Sequence, residues 1–288
     1  MAVNGDSVKS PRERWLGRFA LLPRTITGIL SQTRAAIVAL VGATMLAGMS
    51  DGALSQARVV LSSADRCLAA NQGLSLGVLL PRTAARLKSS EPLKIVAIGS
   101  SSTVGLWVLA SAATYPEVMR RELLRLRSNA TISVINSGRV GDTVQDNVAR
   151  FERDVLAHRP DLVVWQVGTN DVVWGGRPDR RLKEMVIEGV KALKAAPADV
   201  VLMDLQYAPM VLASDYSTIE AIIAEVAKQE RVGLFSRFAL MRNSIDAGVA
   251  QGALVSWDGL HTTVDGYDCI GRALARAISN STRWPPSR

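Results

Sequence analysis

The chain has 288 residues, 48% hydrophobic and 21% charged, the balance of a globular protein rather than a disordered one. Its net charge of +8 is spread along the chain rather than gathered in one stripe, so nucleic acid is not implied as a partner. Two cysteines and two histidines leave no room for a zinc ribbon or a His-rich centre, so any histidine chemistry falls to His158 or His261.

Residues 1–34 are basic and contain Pro11 and Pro23, and an uncharged run follows from Ala35 to Met49. As a helix that run would rise about 22 Å, short of a hydrocarbon core of about 30 Å. The small residues Ala53, Ser55 and Ala57 come next and offer a cleavage site. Residues 1–57 therefore read as a basic leader and secretory signal peptide, with an uncleaved inner-membrane signal anchor as the rival reading. No later stretch is long and apolar enough to span a membrane. Export to the periplasm or beyond would place Cys67 and Cys269 in an oxidising compartment, where two cysteines commonly pair. Two buried free thiols are the alternative. Residues 58–92 form an N-terminal extension.

From residue 93 onward strand and helix alternate. Leu93–Ile98 is a short apolar run ending at Gly99, hence a buried strand. Tyr115–Arg127 has helical spacing, with Val118, Met119, Leu123 and Leu126 inward and Arg120, Arg121, Arg125 and Arg127 on the solvated side. Thr131–Ile135 is the second strand, and Thr143–Leu156 reads as one helix. Leu162–Val167 is the third strand, Arg180–Ala195 a helix, and Val200–Asp204 the fourth strand. Thr218–Gln229 is a helix, Val232–Phe235 the fifth strand, and Arg237–Asp246 a further helix. A loop over Gln251–Thr263 leads to a last helix, Asp265–Asn280, and a tail over 282–288. Five buried strands with helices between them predict one α/β domain over 93–281, a parallel sheet covered on both faces. In such sheets the site lies at the carboxyl ends of the strands. The loops of interest are then Gly99–Gly105, Asn136–Thr143, Gly168–Asp171 and Trp257–His261, with Asp204–Tyr216 as a longer fifth.

Gly99-Ser-Ser-Ser-Thr-Val-Gly105 suits a tight turn that exposes a hydroxyl. It lacks the Gly-Lys-Ser/Thr ending of a phosphate loop and the spacing of a dinucleotide fingerprint. In Asp258-Gly-Leu-His261 the carboxylate can reach the imidazole Nδ1–H, fix its tautomer and stabilise an imidazolium. A capping aspartate beside a surface histidine is the plainer reading of the same four residues. His158 precedes Arg159-Pro160 at the start of the third strand, the end away from the site. Asn170 can aim a side-chain amide across the strand ends, and Gly141 lets a backbone N–H approach a ligand closely. With the nucleophile's own N–H these would make an oxyanion hole.

Together, the four loops resemble the blocks of the SGNH/GDSL hydrolase superfamily. Gly99-Ser-Ser-Ser-Thr-Val-Gly105 is similar to the first block, usually Gly-Asp-Ser-Leu-Thr-x-Gly, and aligning the glycines puts Ser101 on the nucleophile. Asn136-Ser-Gly-Arg-Val-Gly-Asp-Thr143 resembles the second and puts Gly141 on the oxyanion-hole glycine. Gly168-Thr-Asn-Asp171 matches the third, with Asn170 as oxyanion amide. Asp258-Gly-Leu-His261 matches the last, with Asp258 and His261 completing the triad. The resemblance spans about Leu93 to Ile278. It implies a flavodoxin-like three-layer α/β/α sandwich, no metal or cofactor, and ester hydrolysis through an acyl-enzyme. One departure is Ser100, where the family usually has aspartate; Ser100 and Ser102 are therefore alternative nucleophiles. The expected protein is an exported serine esterase acting on short-acyl esters of a small molecule or a polysaccharide. An O-acyltransferase acting on a carbohydrate with the same triad and a silent carbohydrate-binding envelope module are the alternatives. Trp107, Trp174 and Trp257 either pack the cleft walls or offer faces to sugar rings.

Overall fold

The computed structural model describes residues 61–89, 91–175 and 180–282. The basic leader, the apolar run with its cleavage site, and the tail from residue 283 lie outside these residues. Among the described residues, two helices precede the first strand: α1, Ser63–Ala69, capped by the Ser62 hydroxyl, and α2, Pro81–Lys88, which opens on proline. Then follow β1 (Leu93–Gly99), α3 (Ser101–Val104), α4 (Tyr115–Leu126) and β2 (Ile132–Gly138). Next are α5 (Val144–Val148), α6 (Phe151–Asp154), β3 (Leu162–Gln166), α7 (Thr169–Val173) and α8 (Arg180–Lys194). The chain continues through β4 (Asp199–Met203), α9 (Pro209–Leu212), α10 (Tyr216–Glu230) and β5 (Gly233–Phe235). It ends in α11 (Arg237–Asp246), α12 (Gln251–Leu254) and α13 (Val264–Ser281).

The strands form one parallel sheet in the order β2-β1-β3-β4-β5. This is the flavodoxin-like doubly wound order, which places the reversal of winding between β1 and β3. Burial explains the apolar strands: β3 is buried at every position, and β1 exposes only Lys94. Each fully buried Val, Ile or Leu contributes roughly 1.5–3 kcal/mol, so Ile95, Ile98, Val163 and Val164 leave these strands little freedom to shift register. One helical layer packs α13 on α4 and α1, with α11 on α1; the other packs α8 on α10 and α5. The α4–α13 contact is close because of Gly271, where a Cβ would stand 2.6 Å from the Val118 Cβ and 2.8 Å from the Tyr115 carbonyl oxygen.

Cys67 and Cys269 are joined in a disulfide with Cα atoms 6.0 Å apart, tying α1 to α13. The segment before β1 belongs to the same core: Leu68, Leu76 and Leu80 are buried in it, and the Leu234 N–H donates to the Leu76 carbonyl at 3.0 Å. Among the described residues no helix is long and apolar enough to cross a membrane.

The structure differs from the sequence reading in several elements, and short helices α3, α7, α9 and α12 stand in segments read as loops. The second strand runs on to Gly138, because its ladder with β1 continues to the pair Gly99–Gly138. The single helix expected over Thr143–Leu156 is broken into α5 and α6 at Ala149–Arg150. The cause is the buried Arg150 side chain, which turns inward to the strand ends. Its Nε donates to Asp142 at 2.7 Å, Nη1 to the Ser137 carbonyl at 2.7 Å and to Asp154 at 3.0 Å, and Nη2 to the Gly99 carbonyl at 3.1 Å. A buried guanidinium needs acceptors, and satisfying four of its five N–H groups outweighs continuing one helix.

Candidate active site

The parallel sheet brings the ends of β1, β2 and β3 to one edge. Ser101 follows β1 by two residues and opens α3, with 6% of its surface exposed. The His261 Nε2 lies 2.8 Å from the Ser101 Oγ, and its Nδ1 lies 2.6 Å from an oxygen of Asp258. The loop carrying Asp258 and His261, between α12 and α13, is held on several sides. Val255 and Thr262 form an antiparallel bridge, and the Ser256 N–H donates to the His261 carbonyl at 2.7 Å. The Met210 N–H of α9 donates to the Gly259 carbonyl at 3.0 Å, and Gln206 Nε2 to the Leu260 carbonyl at 3.2 Å. Burial pushes the Asp258 carboxyl up, but donors from the His261 ring, the His261 and Leu260 backbone and the Trp107 indole outweigh it and hold it at about 2. Asp258 is therefore a fixed anion facing the imidazole.

The opposite wall comes from the loops after β2 and β3. Gly141 has φ +82, and an added Cβ there would meet no atom within 4 Å, so the backbone borders open space. Asn170, in α7, is buried and donates one Nδ2 hydrogen to the Asp142 carbonyl at 2.8 Å, leaving the second hydrogen for another acceptor. In return the Val144 N–H donates to the Asp171 carboxylate at 3.1 Å, which locks the two loops together. Burial raises the Asp171 carboxyl to about 6 even though the Val144 N–H favours the anion. Thr143 caps α5 in a reciprocal box with Asp146, and the Asp142 carboxylate is held by Asn147 and Arg150. Among the described residues, neither the Ser101 N–H nor the Gly141 N–H has a protein acceptor. The structure thus brings Ser101, His261 and Asp258 into contact and places Gly141 and Asn170 on the loops after the neighbouring strands β2 and β3.

Ser100 faces inward. Its N–H and its hydroxyl both donate to the Gln166 Oε1, each at 2.9 Å. Gln166 continues through Thr169 to Gln206, and Arg237 donates to Gln206 at 2.8 Å. This buried amide chain supports the loop where an aspartate is usual, and it occupies the Ser100 hydroxyl. No sequence motif marks Gln166, Gln206 or Arg150. A lone glutamine ending an apolar strand was the only available signal for Gln166; Arg150 carried none. His158 is exposed at the amino end of β3, away from the cleft. Trp107 and Trp257 stand at the rim with ring centroids 5.7 Å apart, and Trp107 lies 6.5 Å from the His261 ring. A cavity of about 550 Å³ lies at the other end of the sheet, lined by Arg82, Arg86, Arg159 and Asp161 among others. It lacks a hydroxyl beside a base, so the chemistry points to the strand ends at Ser101 instead.

The model of the non-GDSL lipase-like family matches residues 66–283. The chain is 30% identical over 177 residues to an acetylxylan esterase of Geobacillus stearothermophilus, covering 54% of this chain and 76% of that one. It is 23% identical over 185 residues to an arylesterase of Vibrio mimicus, covering 64% and 88%. The solved structure of an acetylxylan esterase from Geobacillus stearothermophilus aligns with a TM-score of 0.56 at 25% identity, covering 70% of this chain and all of that one.

Proposed function

Because the chain belongs to the non-GDSL lipase-like family and is an SGNH/GDSL-like ester hydrolase, we propose that Ser101, His261 and Asp258 are its triad and that short-acyl esters are its substrates. The observation that carries this reading is the relay of contacts, 2.8 Å from Ser101 Oγ to His261 Nε2 and 2.6 Å from His261 Nδ1 to Asp258. His261 takes the Ser101 proton as Oγ attacks the ester carbonyl carbon. The oxyanion that forms accepts from the Ser101 N–H, the Gly141 N–H and the free Asn170 amide hydrogen. Collapse expels the alcohol, which takes the proton from His261. Water, deprotonated by His261, then cleaves the acyl-enzyme and restores the serine.

The substrate in this reading carries acetyl to about hexanoyl groups, on a small alcohol or on an extracellular or envelope polysaccharide. The acetylated xylan named for the Geobacillus relative supports that class. So do the two exposed tryptophans at the rim, because an aromatic face suits a sugar ring. Export is part of the proposal: residues 1–57 act as leader and signal, the mature chain begins near Gln56 or Arg58, and the disulfide fits an oxidising compartment. The test is kcat/KM across p-nitrophenyl esters from two to sixteen carbons, with products analysed in the presence and absence of a carbohydrate acceptor. The proposal expects a maximum at six carbons or fewer and free acid as product. A maximum at ten carbons or more would contradict the short-acyl assignment, and an acylated sugar would make the protein a transferase.

A further inference from the structure

We propose that Trp107 is a positioning residue of this site, its indole N–H holding Asp258 in line with His261. The inference rests on the triad reading above. The Trp107 Nε1 donates to an oxygen of Asp258 at 2.8 Å, the same oxygen that faces His261 Nδ1 at 2.6 Å. The other oxygen accepts the N–H groups of Leu260 at 3.0 Å and His261 at 2.9 Å. Each carboxylate oxygen thus holds two donors. Three of the four come from residues 260 and 261, the carboxylate's own loop. Among the described residues, Trp107 is the donor that reaches in from elsewhere, and it comes from the loop of the nucleophile.

That loop is built to deliver it. Trp107 lies six residues after Ser101. The N–H groups of Gly105 and Leu106 both return to the Ser101 carbonyl, at 3.0 and 3.1 Å, and the Val108 N–H closes on the Gly105 carbonyl at 3.0 Å. Trp107 itself has φ +71, a left-handed backbone that a bulky side chain rarely adopts. Strained residues of this kind persist where the surrounding structure holds them, and they cluster at functional sites. Here the strained turn sends the indole across the cleft to the carboxylate. The Trp257 ring lies beside the Trp107 ring, 5.7 Å away and tilted by 49°. The indole N–H therefore ties the loop of the nucleophile to the loop of the acid, so that Ser101, His261 and Asp258 keep one geometry. It also fills the Asp258 lone pair that would otherwise compete for the imidazole or for water.

The test is a double-mutant cycle. Trp107→Phe keeps an aromatic ring and deletes the N–H. It should lower kcat on a short p-nitrophenyl ester on the order of tenfold, with KM within about twofold of wild type. In an Asp258→Asn background the same substitution should change kcat by less than about twofold, because the group it acts through is already altered. Trp107→Gly, which suits φ +71, should lose kcat likewise; its far-ultraviolet circular dichroism and Tm check that the loss does not come from unfolding. Equal losses from Trp107→Phe in both backgrounds would overturn the inference, as would a change in KM with kcat intact, which would make Trp107 a substrate contact instead. If Asp258→Asn alone keeps wild-type kcat, the triad reading itself fails, a result distinct from additivity in the cycle.

Discussion

Asp161 and Asp258 stand at opposite ends of the sheet, and both are carboxylates packed with donors. Asp161, just before β3, accepts from Arg82 Nε at 2.9 Å, Arg86 Nε at 2.8 Å and the Lys94 N–H at 3.1 Å. Burial raises its carboxyl, and those donors pull it below the usual range. Asp258 is held low in the same way. Their partners differ. Arginine does not give up its proton in a protein, so Asp161 can only tie α2 to the sheet. The partner of Asp258 is an imidazole whose other nitrogen touches a hydroxyl, so this carboxylate can steer a proton. A donor-rich carboxylate does not mark a site by itself; the partner that can exchange a proton does.

The largest effects belong to the Asp258 end. Ser101→Ala and His261→Ala should each lower kcat by about 10⁴-fold or more, with Tm largely kept, as measured by ester hydrolysis and thermal denaturation. Asp258→Asn should cost about 10⁴-fold, because the amide favours the wrong imidazole tautomer. Asp161→Asn sharpens the contrast: it should leave kcat near wild type while lowering Tm, since it removes the anion that two arginines share. Comparable activity losses in Asp161→Asn and Asp258→Asn would break the comparison. Asn170→Ala should lower kcat by about 10²–10³-fold with little change in KM, and an unchanged kcat would remove it from the oxyanion hole.

The smallest effect is in the pH dependence of stability. Asp161 and Asp258 have depressed folded-state values, so the stability they contribute is present at neutral pH and lost as pH falls through those values. Glu220 behaves oppositely. Burial and the neighbouring Asp204 carboxylate push it well above its ordinary value of 4.5. Its contribution is full below that value and declines as pH rises toward the raised one. Glu220→Gln should therefore flatten the fall in Tm between pH 5 and 8, whereas a steeper fall in the variant would contradict the assignment.

The sheet was legible in the sequence for a physical reason. β1, β3 and β4 are covered on both faces, so Leu93–Ile98, Leu162–Val167 and Val200–Asp204 read as mostly apolar runs, interrupted only by Lys94, Gln166 and Asp204. The residues of the cleft were legible because four short Gly- or Asp-marked loops directly follow strands or precede the last helix. What supports the cleft was not. Gln166 bonds Ser100, Gln206 bonds the Leu260 carbonyl, and Arg150 bonds the Gly99 and Ser137 carbonyls. Each pairing joins a side chain to backbone distant in sequence, and no local periodicity reports such a bond. The break between α5 and α6 involves the same buried Arg150, so the broken helix and the unseen support are linked. The core role of Leu68, Leu76 and Leu80 was hidden similarly, because Leu68 sits in a short helix and Leu76 and Leu80 lie in irregular backbone before α2.

The central claim is that the Ser101 hydroxyl is the nucleophile. Its most direct measurement is labelling of the folded protein with a fluorophosphonate, read by intact mass and by mapping of the modified peptide. The account predicts one phosphonyl adduct per chain, located on Ser101, and no adduct on a Ser101→Ala variant of unchanged Tm. An adduct on Ser100 or Ser102, or equal labelling of Ser101→Ala, would contradict it.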